Sequence, residues 1–206
     1  MKIVSARRRS NVPHSTRPEV RGVLHVVLRI CRGLPWLRTP KTYRVLEGAL
    51  RAGKEKKGFA LVQYSVQGDH LHLLVEAESK RKLARAMQGL MIRIAKALNR
   101  FWRRRGGRVF ADRYFARLVE GVRSLKRALA YVLNNGRKHG VWSSPTRPDP
   151  YSSGPWYIGW WGPTDICRPL RAAPVVPTRN VTLDSPSFRR LKIDYIPGRS
   201  GTDFPL

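Results

Sequence analysis

Acidic residues are scarce in this chain: 13 Asp and Glu stand against 41 Lys and Arg in 206 residues, a formal net charge of +28. Such an excess repels itself in a compact state and is relieved by a polyanionic partner, which points to nucleic acid. Cysteine is nearly absent. Cys31 and Cys167 stand alone, which argues against a disulfide framework and against a Cys-x-x-Cys zinc site. Long apolar runs are missing too, and Met1 to Ser10 lacks the apolar centre of a signal peptide. No membrane span is expected, and a cytoplasmic setting fits.

The charge that is present is unevenly placed. Residues 1–141 carry 33 basic and 8 acidic residues, leaving a net charge of only +3 for 142–206. Three regions are therefore expected: a basic N-terminal arm over 1–20, a folded domain over 21–141, and an irregular tail over 142–206 rich in Pro, Gly and Trp. The tail's Pro and Gly exclude a long helix or a central strand, but its tryptophans can dock on the domain.

Within the domain, Gly22 to Ile30 reads as a strand rich in Val and Leu. A helix follows, capped by Thr39, with Pro40 in its first position and Gly53 at its end. Phe59 to Gln67 and His70 to Ala77 form a hairpin around Gly68-Asp69. From Lys82 to Arg104 the residues Leu83, Met87, Leu90, Ile94, Leu98 and Phe101 make one apolar helical stripe, closed by Gly106-Gly107. Val109 to Val119 is expected as a fourth strand. Ser124 can cap a last helix that ends near Asn135, with Gly136 as a left-handed stop. The order β-α-β-β-α-β plus one helix predicts an α+β fold, a ferredoxin-like split βαβ sheet with a C-terminal tyrosine-bearing helix. Helices are expected on one face of that sheet, leaving the other open.

His70 and His72 lie two apart on the third strand, so both imidazoles share a face while Leu71, Leu73 and Val75 turn to the core. Imidazole is the commonest metal ligand, and two on a rigid strand need one or two more donors to hold a divalent ion. On the last helix Tyr131 shares a face with Arg127, Asn134 and Asn135. A phenol activated by a metal or a base can form a covalent link to phosphorus. Asn135 can offer a carbonyl oxygen to a metal or simply cap the helix.

Five segments in order carry a resemblance: His25-Val26-Val27-Leu28-Arg29, then Gly68 to Glu76, Ala97-Leu98-Asn99-Arg100, Val109 to Tyr114, and Tyr131 to Gly140. Together they resemble the single-tyrosine HUH transposases, and within them the REP-associated tyrosine transposases, which act on single-stranded DNA. The resemblance spans about residues 22–141. It implies that His70, His72 and Asn135 bind Mg²⁺ or Mn²⁺, and that Tyr131 is the nucleophile. It further implies cleavage and rejoining of DNA at hairpin sites through a 5′-phosphotyrosine, by a monomer or a homodimer. One departure stands out: the family commonly has Asn-Pro where this chain has Asn135-Gly136. Residues 165–206 have no counterpart.

Arg100, Arg103, Arg104, Arg105, Arg108, Arg113 and Arg127 are the candidates for phosphate contacts, and Trp102 for stacking on an unpaired base. Tyr114 is either a second stacking residue or a rival nucleophile. The competing function is a non-catalytic binding module of the RNA-recognition-motif type on the same fold, which would carry aromatics where His70 and His72 stand. A ribosome-associated basic protein would account for the charge alone.

Overall fold

Alternation along the third strand decides which way the sheet faces. Leu71, Leu73 and Val75 are fully buried on one side, each contributing roughly 1.5–3 kcal/mol by leaving water. A one-residue slip would turn all three out of this core and onto the face that carries His70 and His72, so the register is strongly specified. The computed structural model describes residues 20–144, 146–157, 160–161 and 193–194. The expected basic arm before residue 20 and nearly all of 165–206 lie outside the described residues.

The elements are β1 (Gly22–Arg29), α1 (Pro40–Gly53), β2 (Glu55–Lys56), β3 (Phe59–Val66), β4 (His70–Ala77), α2 (Lys80–Phe101), β5 (Phe115–Leu118), α3 (Gly121–Leu133) and α4 (Asn135–Lys138), followed by the short β6 (Trp160–Trp161) and β7 (Ile193–Asp194). The main sheet runs β2-β3-β4-β1-β5, and its pairings are antiparallel. This is the expected α+β split βαβ arrangement with an added edge strand.

Local signals place most boundaries. Thr39 caps α1 by accepting from the Thr42 N–H, and Pro40 opens the helix. Ser79 caps α2 in the same way, accepting from Lys82. The Gly68-Asp69 turn is closed by Gln67 N–H donating to the His70 carbonyl at 2.8 Å. The α2 stripe is buried as expected from Leu83 to Leu98, but Phe101 at the helix end is exposed.

Four expectations need correction. The fourth strand is shorter than Val109–Val119. Val109 and Phe110 turn into the core, with one bridge from Phe110 to Ile30, and pairing resumes only at Phe115. Arg108 holds that bend by donating to the Phe110 and Ala111 carbonyls. The last helix begins at Gly121 after Glu120, one turn before Ser124. Gly136 is no left-handed stop. It lies within α4, and the left-handed residue is Gly140, at φ 67°.

The fourth correction matters most for function: the second face of the sheet is not open. One core, built on Leu24, Val26, Leu28, Leu71, Leu73 and Val75, lies under α1 and α2. A second is formed by Val23, Val62 and Leu74 against Leu125, Ala128, Leu129, Val132 and Leu133 of α3. The tyrosine-bearing helix thus covers the histidine face. Leu74 was the available signal, because the run Leu73-Leu74-Val75 breaks alternation as a strand buried on both faces does.

Candidate active site

Register brings a third imidazole to the histidine pair. Val27 lies opposite His72 and His25 opposite Leu74, so His25, His70 and His72 share the α3 side of the sheet, with His25 diagonal to His72. The rings form a chain of contacts. His70 Nδ1 lies 2.6 Å from Asp69 Oδ1, His70 Nε2 is 3.1 Å from His72 Nε2, and His72 Nδ1 is 3.0 Å from His25 Nε2. His25 and His72 stack at 5.1 Å with 14° between their planes.

A fourth histidine arrives from beyond α4. His139 is exposed, and its ring stands 5.6 Å from that of His70. One ring nitrogen from each of His70, His72 and His139 falls within a span of 4.8 Å. Three imidazole donors so close together suit a divalent transition ion. Burial fits the same use. It pushes His72 down to about 2 and His25 to about 4, the neighbouring imidazoles adding for His72 and Arg117 for His25. His139 is also lowered, by burial first and then by His70 and Lys138. At neutral pH His72 and His25 are thus neutral rings, each with a nitrogen lone pair to offer. The Asp69 carboxyl is held below its usual range, mainly by its hydrogen bond to His70.

Tyr131 stands over this cluster. From the middle of α3 its ring meets those of His72 at 5.4 Å and His25 at 5.7 Å, both edge-on. Lys138 Nζ lies 4.8 Å from the ring centroid. Burial raises the phenol's pKa, while the neighbouring Asn135 carboxamide opposes the rise. No bond of ordinary geometry reaches the Asn135 amide atoms, although the side chain is completely buried. An amide buried without satisfied partners is the kind of group that a bound ion or water would complete.

The other candidates are scattered. Arg100, Arg103, Arg105, Arg108, Arg113 and Arg127 are exposed. Arg104 is half-buried and donates to Asn99 at 2.7 Å. Trp102 caps α2 half-buried against the core under α1 and α2, with its indole N–H enclosed. Tyr114 packs partly into that same core, away from the α3 side where Tyr131 meets the histidines. Among the described residues, Trp36 and Phe115 are further exposed large aromatics, at positions that no sequence motif marks.

A buried clamp holds the C-terminal side of the site. Arg38 grips Asp149 with both arms at 2.8 and 2.9 Å and also donates to the carbonyls of Val66 and Val141. Gly136 presses against that carboxylate: a Cβ there would lie 2.9 Å from Asp149 Cγ and closer still to its oxygen. Beyond it, Ser152 bridges to Ser65, and Ser153 N–H donates to the Tyr64 carbonyl, covering the edge of β3 beyond its pairing with β2. Asn135 and His139 therefore flank a segment pinned by residues far away in sequence.

The sequence pattern of the family described as "Transposase IS200 like" matches residues 20–135, a stretch containing His25, His70, His72, Tyr131 and Asn135 but not His139. No curated protein matches the chain. A solved structure of a REP-associated tyrosine transposase bound to a REP hairpin is similar in fold, with 15% sequence identity, a TM-score of 0.51, and coverage of 69% of this chain and 82% of that one.

Proposed function

Because the chain belongs to the IS200-like transposase family, we propose that it cleaves and rejoins single-stranded DNA at hairpin sites through a covalent bond to Tyr131. The observation that carries this reading is the placement of the Tyr131 ring 5.4 Å from His72, at a cluster of three imidazole donors. His70, His72 and His139 hold a divalent ion in this reading, with the buried Asn135 amide as a further oxygen donor. Nitrogen-rich ligation suits Mn²⁺ better than Mg²⁺, which favours oxygen and keeps its waters. When bound, the ion supplies Lewis-acid polarisation of a non-bridging phosphate oxygen.

The protein's own groups do the rest. Tyr131 Oη forms a bond to phosphorus as the bond from phosphorus to the 3′ oxygen breaks, and the proton lost by the phenol is balanced by one gained at the 3′-hydroxyl. Rejoining is the reverse with another 3′-hydroxyl. Burial raises the Tyr131 pKa, so the phenol needs an activating group in the site to act as a nucleophile. Exposed Arg100, Arg103, Arg105, Arg108, Arg113 and Arg127 neutralise phosphates along the strand. Trp102 and Tyr114 offer only their exposed parts for stacking.

Labelled hairpin strands run on a denaturing gel test the reading. Wild type and Tyr114→Phe should leave label on the protein with Mn²⁺ and none in excess chelator, while Tyr131→Phe should bind DNA and never form the adduct. An adduct that survives in Tyr131→Phe would overturn the assignment. No adduct with any divalent metal would leave the non-catalytic binder as the better account.

A further inference from the structure

Hydrogen bonds along the imidazole chain leave little choice of proton position. A carboxylate only accepts, so the His70 Nδ1 proton points toward Asp69 at 2.6 Å, and in the neutral form of the ring Nε2 is a lone pair. The 3.1 Å contact between the two Nε2 atoms then requires His72 to donate there. With its one neutral-form proton on Nε2, His72 must accept at Nδ1, and the donor 3.0 Å away is His25 Nε2. Each ring's tautomer is set by the next.

Were His72 to hold the ion through Nε2, that order would reverse. The nitrogen would offer its lone pair, the proton would sit on Nδ1, and Nδ1–H would need an acceptor in a site where His72 is almost fully buried. His25 Nε2 is that acceptor once His25 carries its own proton on Nδ1. Both rings stay neutral and the number of protons is unchanged. Asp69 plays the equivalent part for His70 without any switch.

We propose that His25 is the positioning residue of the metal centre: its Nε2 accepts from His72 Nδ1 when metal binds, which orients His72 and carries the bound state to a buried ring as a change of tautomer. The geometry favours this over simple packing. The ring planes lie within 14° of each other with the two nitrogens 3.0 Å apart, an edge-to-edge approach that suits an in-plane hydrogen bond, and the β1–β4 register and burial hold both rings there. The inference rests on the proposed metal site, and its test separates the two.

Binding of Mn²⁺ alone, followed by electron paramagnetic resonance of the free ion, is compared in wild type, His25→Phe and His25→Gln. Loss of the acceptor in His25→Phe, which keeps a ring of similar size, should weaken Mn²⁺ binding about 10- to 100-fold. His25→Gln keeps a side-chain carbonyl and should recover part of the affinity. Long-range nitrogen–proton NMR of wild type, with Zn²⁺ as a diamagnetic probe, should show His25 and His72 exchanging Nε2–H for Nδ1–H on metal addition. The NMR result stands even if a variant folds poorly. Metal binding to wild type with both tautomers unchanged, or equal affinity in a folded His25→Phe, would overturn the role of His25 and leave the metal site intact. No metal binding to wild type would overturn both.

Discussion

Lowering the pH should unfold this protein through its buried imidazoles. His25 and His72 sit at about 4 and about 2, against 6.5 for an unhindered histidine. Below pH 6.5 the unfolded chain takes up protons that the folded one refuses, so each group's contribution is complete above that pH and is lost as the pH falls. The loss levels off near pH 4 for His25 and continues toward pH 2 for His72. Each proton contributes about 1.4 kcal/mol per pH unit, so the pair approaches a slope of about 2.7 kcal/mol per unit and a loss of about 4 kcal/mol between pH 7 and pH 5. Set against a typical net stability of roughly 5–15 kcal/mol, that is a large share. Exposed His139 adds a smaller contribution of the same sign. Urea unfolding with chelator present, from about pH 7.5 to about pH 5, measures it and stays above the ordinary carboxylate pKa values. The double variant His25→Phe, His72→Phe should lose most of the slope. Equal stability at pH 7 and pH 5 in wild type, or an undiminished slope in the double variant, would refute the reasoning.

Other consequences are open to measurement. Gly136→Ala must displace a carboxylate already gripped by Arg38, and should cost about 1–3 kcal/mol in urea unfolding; no loss would mean that Asp149 moves at will. Arg38→Ala strands that carboxylate, whose side chain is 1% exposed, and should cost about 3–5 kcal/mol, with Asp149→Asn in the same chain recovering part of it. Affinity for single-stranded DNA should fall linearly on a log–log plot against salt, with a slope of about −0.7 per phosphate neutralised. A salt-independent affinity would remove the basic surface from the account.

Much of this was legible from short-range pattern. The strand at His70–Ala77 follows from alternation, α1 from Thr39 and Pro40, and α2 from its stripe, because each is a local consequence of side-chain period and capping. The boundaries that went astray answer to partners far away. Gly136 looks like a helix stop until Asp149 is placed beside it, and the segment after Val109 looks like a strand until Arg108 is seen holding its carbonyls. In the sequence His25 and His139 stand out only as members of motif segments, since nothing local distinguishes a ligand or its neighbour from any other histidine.

By itself, the sequence determined that the chain carries a large excess of positive charge, that its domain is a split βαβ sheet, that His70 and His72 share one face, and that Tyr131 rides an amphipathic helix. Charge, period and capping act over a few residues, so a reader of the chain can apply them. Only the tertiary structure decided that α3 lies over the histidine face, that β1 pairs with β4 in the register that sets His25 against His72, and that the Arg38–Asp149 clamp pins the segment between Asn135 and His139. Those placements follow from the burial of Leu74, Val62 and Val23 under α3 and from a charge pair 111 residues apart. Such long-range contacts compete across the whole molecule, and no local window of sequence contains both partners.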